Sequence, residues 1–227
     1  MYHVELSLYF KKLLPTIRNQ RARNIYHTTI PNVVSFALHP LLMPIAGTLF
    51  ILFCSGLYIT MLPAQAKQLI LLIVGSCTLA LPLFLLLFYW TRRWVSDIYI
   101  SERHERIMPL ILTAVFYYIA YHILHSMHTP YIIQKFVLAS TISVFLTSII
   151  SLYWKISIHG VGIGGLTGML TALTIISPSL LPGLMVAIIL TGLVGYARIS
   201  LNAHTPAQFY TGVLLGFMVV SATFFLF

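Results

Sequence analysis

The chain has 227 residues, of which 59% are hydrophobic and only 7% charged, with a mean hydropathy of +0.94. That is too little charge to clothe a water-soluble domain, so the sequence reads as a polytopic membrane protein. The formal charge of +9 calls for an anionic partner. With few water-facing surfaces and no interleaving of basic and aromatic residues, that partner is lipid headgroup or phosphate and not nucleic acid.

In chain order, MYHVELSLYFKK does not read as a cleavable signal peptide, because no apolar stretch of suitable length precedes a small-residue cleavage site. Residues 1–32 carry Lys11, Lys12, Arg18, Arg21 and Arg23 and read as a basic arm or interfacial helix. Residues 33–227 form one helical membrane domain. Apolar spans are predicted at about 41–62, 68–91, 109–126, 132–153, 160–177, 181–197 and 206–226, each near the ~20 residues that cross a bilayer. Pro40, Pro44, Pro63, Pro109, Pro130, Pro178, Pro182 and Pro206 mostly punctuate span ends. Cys54 and Cys77 lie in apolar runs and read as small packing residues. The expected fold class is therefore an all-α integral membrane bundle of about six or seven helices, with an active site at one membrane face.

An even number of crossings separates the N-terminal arm from the loops 92–108, 154–159 and 198–205. That shared face holds all thirteen Lys and Arg residues except Lys67 and Lys135. The excess of positive charge assigns it to the cytoplasm, with a bacterial inner membrane as the expected location. The opposite face carries His122, His125 and His128, which read as interfacial histidines more readily than as a metal site.

Three polar clusters sit on the basic face. SDIYISERHERIMP holds Asp97, Arg103, Arg106 and Pro109; WKISIHGVGIGG holds Lys155, Ser157 and His159; RISLNAHTP holds Arg198 and His204. Each leads into a helix. Thr205 suits an N-cap and Pro206 the first helical position. Helix N-termini favour anions through free N–H groups and the positive dipole end. Histidine serves as nucleophile and as acid near neutral pH. Each residue also has a structural alternative. Arg198 can snorkel, Arg92 and Arg93 are ordinary flanking charges, and Lys155 can simply flank a span. Asp97 can cap a helix or pair with an arginine, and Gly160, Gly164 and Gly168 recur at a helix-packing interval.

The third cluster resembles the last motif of the type 2 phosphatidic-acid phosphatase superfamily. There an Arg precedes the nucleophilic His by six, an Asp follows that His by four, and a Gly follows the Asp by four. Here those positions are Arg198, His204, Gln208 and Gly212. Ser157-Ile158-His159 stands where the family has Ser-Gly-His, and ERHERIMP is loosely similar to its first motif, with Arg103 and Arg106 supplying the positive charge. The chain is also similar to a divergent branch that reads Arg-x-x-Arg-x-x-Pro, Lys-x-Ser-x-His and His-Thr-Pro-x-Gln. The resemblance covers residues 92–216.

It implies a lipid or polyprenyl phosphate phosphatase that uses neither metal nor cofactor. His204 would carry a phosphohistidine. His159 would protonate the departing oxygen and then activate water. Arg198, Arg103, Arg106 and Lys155 would hold the phosphate, with Ser157 adding a hydrogen bond. Gln208 replaces the family's Asp, so it can orient the imidazole of His204 but brings no charge; Asp97, Glu102 and Glu105, the carboxylates of the first cluster, could replace that charge in space. Two other readings follow: a weak or inactive relative that binds anionic lipid, and a lipid phosphotransferase in which a hydroxyl replaces water. Oligomeric state is not encoded in these patterns.

Overall fold

In hydrocarbon every backbone N–H and C=O must be satisfied within the chain, which restricts a spanning segment to helix unless a closed barrel forms. The computed structural model describes residues 29–56, 58–95 and 104–226. It meets that demand with seven helices long and apolar enough to cross a membrane: α1 Thr29–Phe53, α2 Ala64–Thr91, α3 His104–Ser126, α4 Tyr131–Ser151, α5 Ile158–Ile176, α6 Pro178–Ser200 and α7 Pro206–Leu226. The protein is an all-α membrane bundle.

The first span differs from its sequence expectation. Helix already runs from Thr29, twelve positions before the expected start at 41. Asn32, Ser35 and His39 dilute the apolar signal there. Pro40 and Pro44 do not mark the end of a span but sit inside α1. Pro40 has no N–H to donate, and the helix breaks into an extended His39 followed by a 3₁₀ turn at Pro40–Leu42, resuming at Met43–Phe53. A second irregularity lies in α2, where Ser76–Ala80 forms a π-turn just ahead of Pro82. Proline cannot donate to the preceding turn and its ring crowds the carbonyl there, so the ladder widens locally. The bend of α1 and the π-turn of α2 pack against each other.

The closest pair of helices is α5 and α7. Both start at the basic face and run parallel. Their contact is built from glycine on both sides. A Cβ on Gly160 would stand 2.6 Å from the Phe209 carbonyl oxygen, and one on Gly168 2.6 Å from that of Phe217. A Cβ on Gly164 would overlap the Val213 carbonyl, and one on Gly216 the Val161 carbonyl. In lipid, helices gain no hydrophobic drive to associate, so close backbone approach through small residues supplies the contact. The Gly160–Gly164–Gly168 stripe is thus a packing seam. It fixes the axial register of the two helices and brings their N-termini to one level. There Ser157 N–H donates to the Gln208 carbonyl at 3.1 Å.

At the opposite face, Lys135 Nζ donates to the Phe224 carbonyl at 3.2 Å, setting a cation on the negative end of α7. A core of Ile51, Leu52, Val74, Leu124, Phe136, Met169 and Leu173 fills the bundle between the two faces.

Gly216→Ala should lower the thermal stability of the detergent-solubilised protein by about 1–3 kcal/mol, since its new methyl has only main chain to displace. Gly192→Ala, which meets nothing within 4 Å, should leave the melting temperature unchanged or slightly raised. Equal behaviour of the two variants in a melting assay would contradict the seam.

Candidate functional site

The basic ends of α3, α5, α6 and α7 meet where the seam levels the helix starts. His204 lies in the short link between α6 and α7 and is only 6% exposed. Its position follows from the cap that starts α7. Thr205 Oγ1 accepts from Gln208 N–H at 3.3 Å, and Gln208 Oε1 accepts from Thr205 N–H at 3.2 Å. This reciprocal pair is a capping box of the Thr-x-x-Gln kind. Its residues pin the chain on either side of Pro206 and hold His204 inward.

The same box fixes the chemistry of the imidazole. Thr205 N–H can only donate, so the Gln208 atom that faces it is the oxygen. That oxygen also lies 3.2 Å from His204 Nδ1. An amide oxygen only accepts, so Nδ1 carries the hydrogen and Nε2 keeps its lone pair. Gln208 therefore orients His204 as a carboxylate would, without its charge.

Among the described residues, the charged groups that act on His204 are positive. Burial lowers its pKa most, with further lowering from Arg106, Arg198 and Lys155, while the Gln208 hydrogen bond acts the other way; the result is about 4. Arg106 is buried in the 3₁₀ turn His104–Arg106 that opens α3. Arg198 lies in the last turn of α6 rather than in the loop, and Lys155 is half-buried ahead of α5.

His159 sits in the first turn of α5. It lies within electrostatic range of Arg198 and His204, so the two expected imidazoles share one face. Its Nε2 is 3.2 Å from the Ser35 carbonyl, which assigns the hydrogen to Nε2 and leaves Nδ1 as the free nitrogen. Ser157 is fully buried and serves as the N-cap of α5, with Oγ accepting from Gly160 N–H at 3.3 Å. One lone pair of its hydroxyl oxygen is thus taken by the helix, while its hydrogen remains available to bond elsewhere. Arg103 and Asp97 lie outside the described residues.

Two neighbours of the site were not singled out in the sequence. Ser35 Oγ accepts from Arg198 Nη1 at 3.3 Å. The His39 ring stands edge-on to His159, with centroids 5.5 Å apart and planes at 79°. The signal was present in SFALHP, where a Ser and a His four apart share one helix face just before a proline.

The histidines of the opposite face are used locally. His125 Nδ1 bonds Gln134 Oε1 at 3.0 Å, and Gln134 Nε2 donates to the Thr129 carbonyl at 2.6 Å. His128 takes a left-handed conformation, φ 52°, as α3 ends.

Comparison of the chain with protein families, with curated proteins and with solved structures finds no match.

The lowered His204 pKa has a consequence for stability. Between about 4 and 6.5 the unfolded chain holds more proton at this position than the folded one, so stability falls as pH drops through that window. Wild type should therefore lose more stability than His204→Gln between neutral and acid pH, by a few kcal/mol at most. Parallel melting curves for the two proteins across that range would contradict the assigned burial and charge.

Proposed function

We propose that the protein is an integral-membrane phosphatase acting on a lipid or polyprenyl phosphate, with its basic face in the cytoplasm. One observation carries this reading: a buried imidazole with its Nδ1–H held and its Nε2 lone pair free, within electrostatic range of Arg106, Arg198 and Lys155.

The same cations that oppose a proton on His204 attract a phosphate. An imidazole that stays neutral at cellular pH is a competent nucleophile, and phosphoryl transfer depends on fixed positive groups that meet the charge on the phosphoryl oxygens. The parallel starts of α5 and α7 add their dipoles at the same place.

In the proposed reaction His204 Nε2 bonds to phosphorus as the bond from phosphorus to the lipid oxygen breaks. That oxygen takes the proton that a phosphate monoanion brings in, relayed through the Nδ1 lone pair of the neutral His159. Water then gives a proton to His159 Nδ1 and attacks the phosphohistidine; phosphate leaves with that proton, and both imidazoles return to their neutral state. Arg106, Arg198 and Lys155, together with Arg103, hold the phosphoryl oxygens. The exposed apolar helix faces let a lipid tail stay in the bilayer while its headgroup reaches the site sideways.

Gln208 favours a second reading, an anionic-lipid binder with weak or no turnover. In a serine-protease triad, replacing the orienting carboxylate by its amide lowers turnover by about 10⁴, which sets the direction here. The capping box decides which variant tests this. Gln208→Glu keeps the reach of the side chain and adds the charge, whereas aspartate is one methylene too short to span the same positions.

His204→Ala should abolish phosphate release from a panel of lipid phosphates in detergent, while Gln208→Glu should raise the rate tenfold or more and move the acid limb of the pH profile upward. Equal phosphate release by wild type and His204→Ala would end the enzymatic reading. Retained binding to anionic vesicles with no release from any variant would select the binder.

The cytoplasmic assignment has its own check. A single cysteine placed at Arg93, in a background with Cys54 and Cys77 replaced, should be labelled from the cytoplasmic side of oriented vesicles. Labelling from the other side alone would reverse it.

A further inference from the structure

The proposed chemistry is carried by α3, α5, α6 and α7 and makes no use of the bend in α1. In the first half of α1, Leu38 N–H donates to the Val34 carbonyl at 2.9 Å. His39 is then extended, at φ −66° and ψ 138°, and Pro40 opens the 3₁₀ turn. A helix end of this kind strips the last carbonyls of their donors. Ser35 is 8% exposed, so its carbonyl needs a partner from within the protein. His159 Nε2–H supplies it at 3.2 Å. The Ser35 hydroxyl meanwhile accepts from Arg198.

On the far side of the bend, Leu41 N–H donates to His39 Nδ1 at 3.3 Å, which places the hydrogen of a neutral His39 on Nε2. The bend reaches α5 because Gly162 makes room for it: a Cβ there would lie 3.1 Å from Met43 Cγ and 3.3 Å from Pro40 Cα.

We propose that this bend is a further element of the site. Ser35 is its positioning residue, setting the tautomer of His159 through its carbonyl and the orientation of Arg198 through its hydroxyl, while the His39 ring braces the plane of His159. The inference rests on the assignment of His159 and Arg198 to a phosphate site and extends it to α1. A neutral imidazole has two tautomers. A carbonyl on Nε2 selects one and leaves the Nδ1 lone pair for proton traffic with substrate and water.

Pro40 is what frees that carbonyl. With an ordinary residue at 40 the helix can run on through His39, whose N–H would then take the Ser35 carbonyl and leave His159 without its acceptor.

The test is the ring-nitrogen NMR spectrum of the full chain in detergent at alkaline pH, with ¹⁵N-labelled histidine and His159→Gln to assign the signals. Wild type should show a protonated Nε2 and an unprotonated Nδ1 at His159, and Pro40→Ala should turn this into a tautomer mixture. Ser35→Ala keeps the carbonyl and should keep the tautomer. It should lower kcat/KM for a lipid phosphate roughly ten- to a hundredfold, the loss expected for one hydrogen bond to a charged group, and Ser35→Thr should recover most of it.

A wild-type His159 protonated on Nδ1, or a Pro40→Ala spectrum identical to wild type, overturns the proposal whether or not phosphate is released. The expected spectra in a protein that releases no phosphate would uphold the positioning and defeat the enzymatic reading instead. The wild-type spectrum decides the tautomer by itself, so the test survives a Pro40→Ala chain that does not fold.

Discussion

Backbone contact between α5 and α7 is the constraint on which the rest depends. Five glycines, three on one helix and two on the other, let the two main chains meet where any side chain would collide with a carbonyl. A contact this close admits little axial freedom. It decides that two parallel helices start at the same depth, that Ser157 N–H finds the Gln208 carbonyl, and that His159 and His204 open toward one face. Were the seam loosened by a larger residue, the helices would still cross the membrane. The level of their N-termini, and with it the convergence of the site, would be lost.

A second theme is backbone groups that set the state of side chains. Three imidazoles near the basic face have their tautomers dictated by main-chain or amide partners. Gln208 Oε1 is identified as oxygen by the Thr205 N–H and so assigns His204; the Ser35 carbonyl assigns His159; the Leu41 N–H assigns His39. Each partner exists because a helix starts or stops there. Helix ends carry unsatisfied groups, and those that are buried must find partners within the protein. Here they are matched with ring nitrogens, so the bonds that satisfy the helix ends also fix the tautomers of the imidazoles.

Gln208 illustrates how a local motif can be read in two ways. As a residue four positions after His204 it stands where the proposed phosphatase reading expects a carboxylate, and its missing charge is the notable feature. As a residue three positions after Thr205 it completes a capping box and holds the start of α7. Both are true of one side chain, because the amide oxygen has two lone pairs and meets two donors. The first relation was read from the sequence. The second needed only the spacing Thr-x-x-Gln before an apolar run, but the residue was already claimed by the other pattern.

Hydropathy and charge, which are properties of the chain taken one residue after another, determined the class of the fold, the seven apolar helices of the described residues, and the gathering of His159, Arg198, His204 and Gln208 on one face. Glycine spacing gave the packing stripe but not its partner. The tertiary structure alone decided that Arg106 is buried beside His204, that the Ser157 hydroxyl caps a helix, and that α1 starts early and bends to bring Ser35 and His39 to the site. Those outcomes depend on which helix lies against which. In a bilayer every apolar face is equally at home against lipid or protein, so apolar pattern says how many helices there are, and only close packing and the satisfaction of helix ends say how they meet.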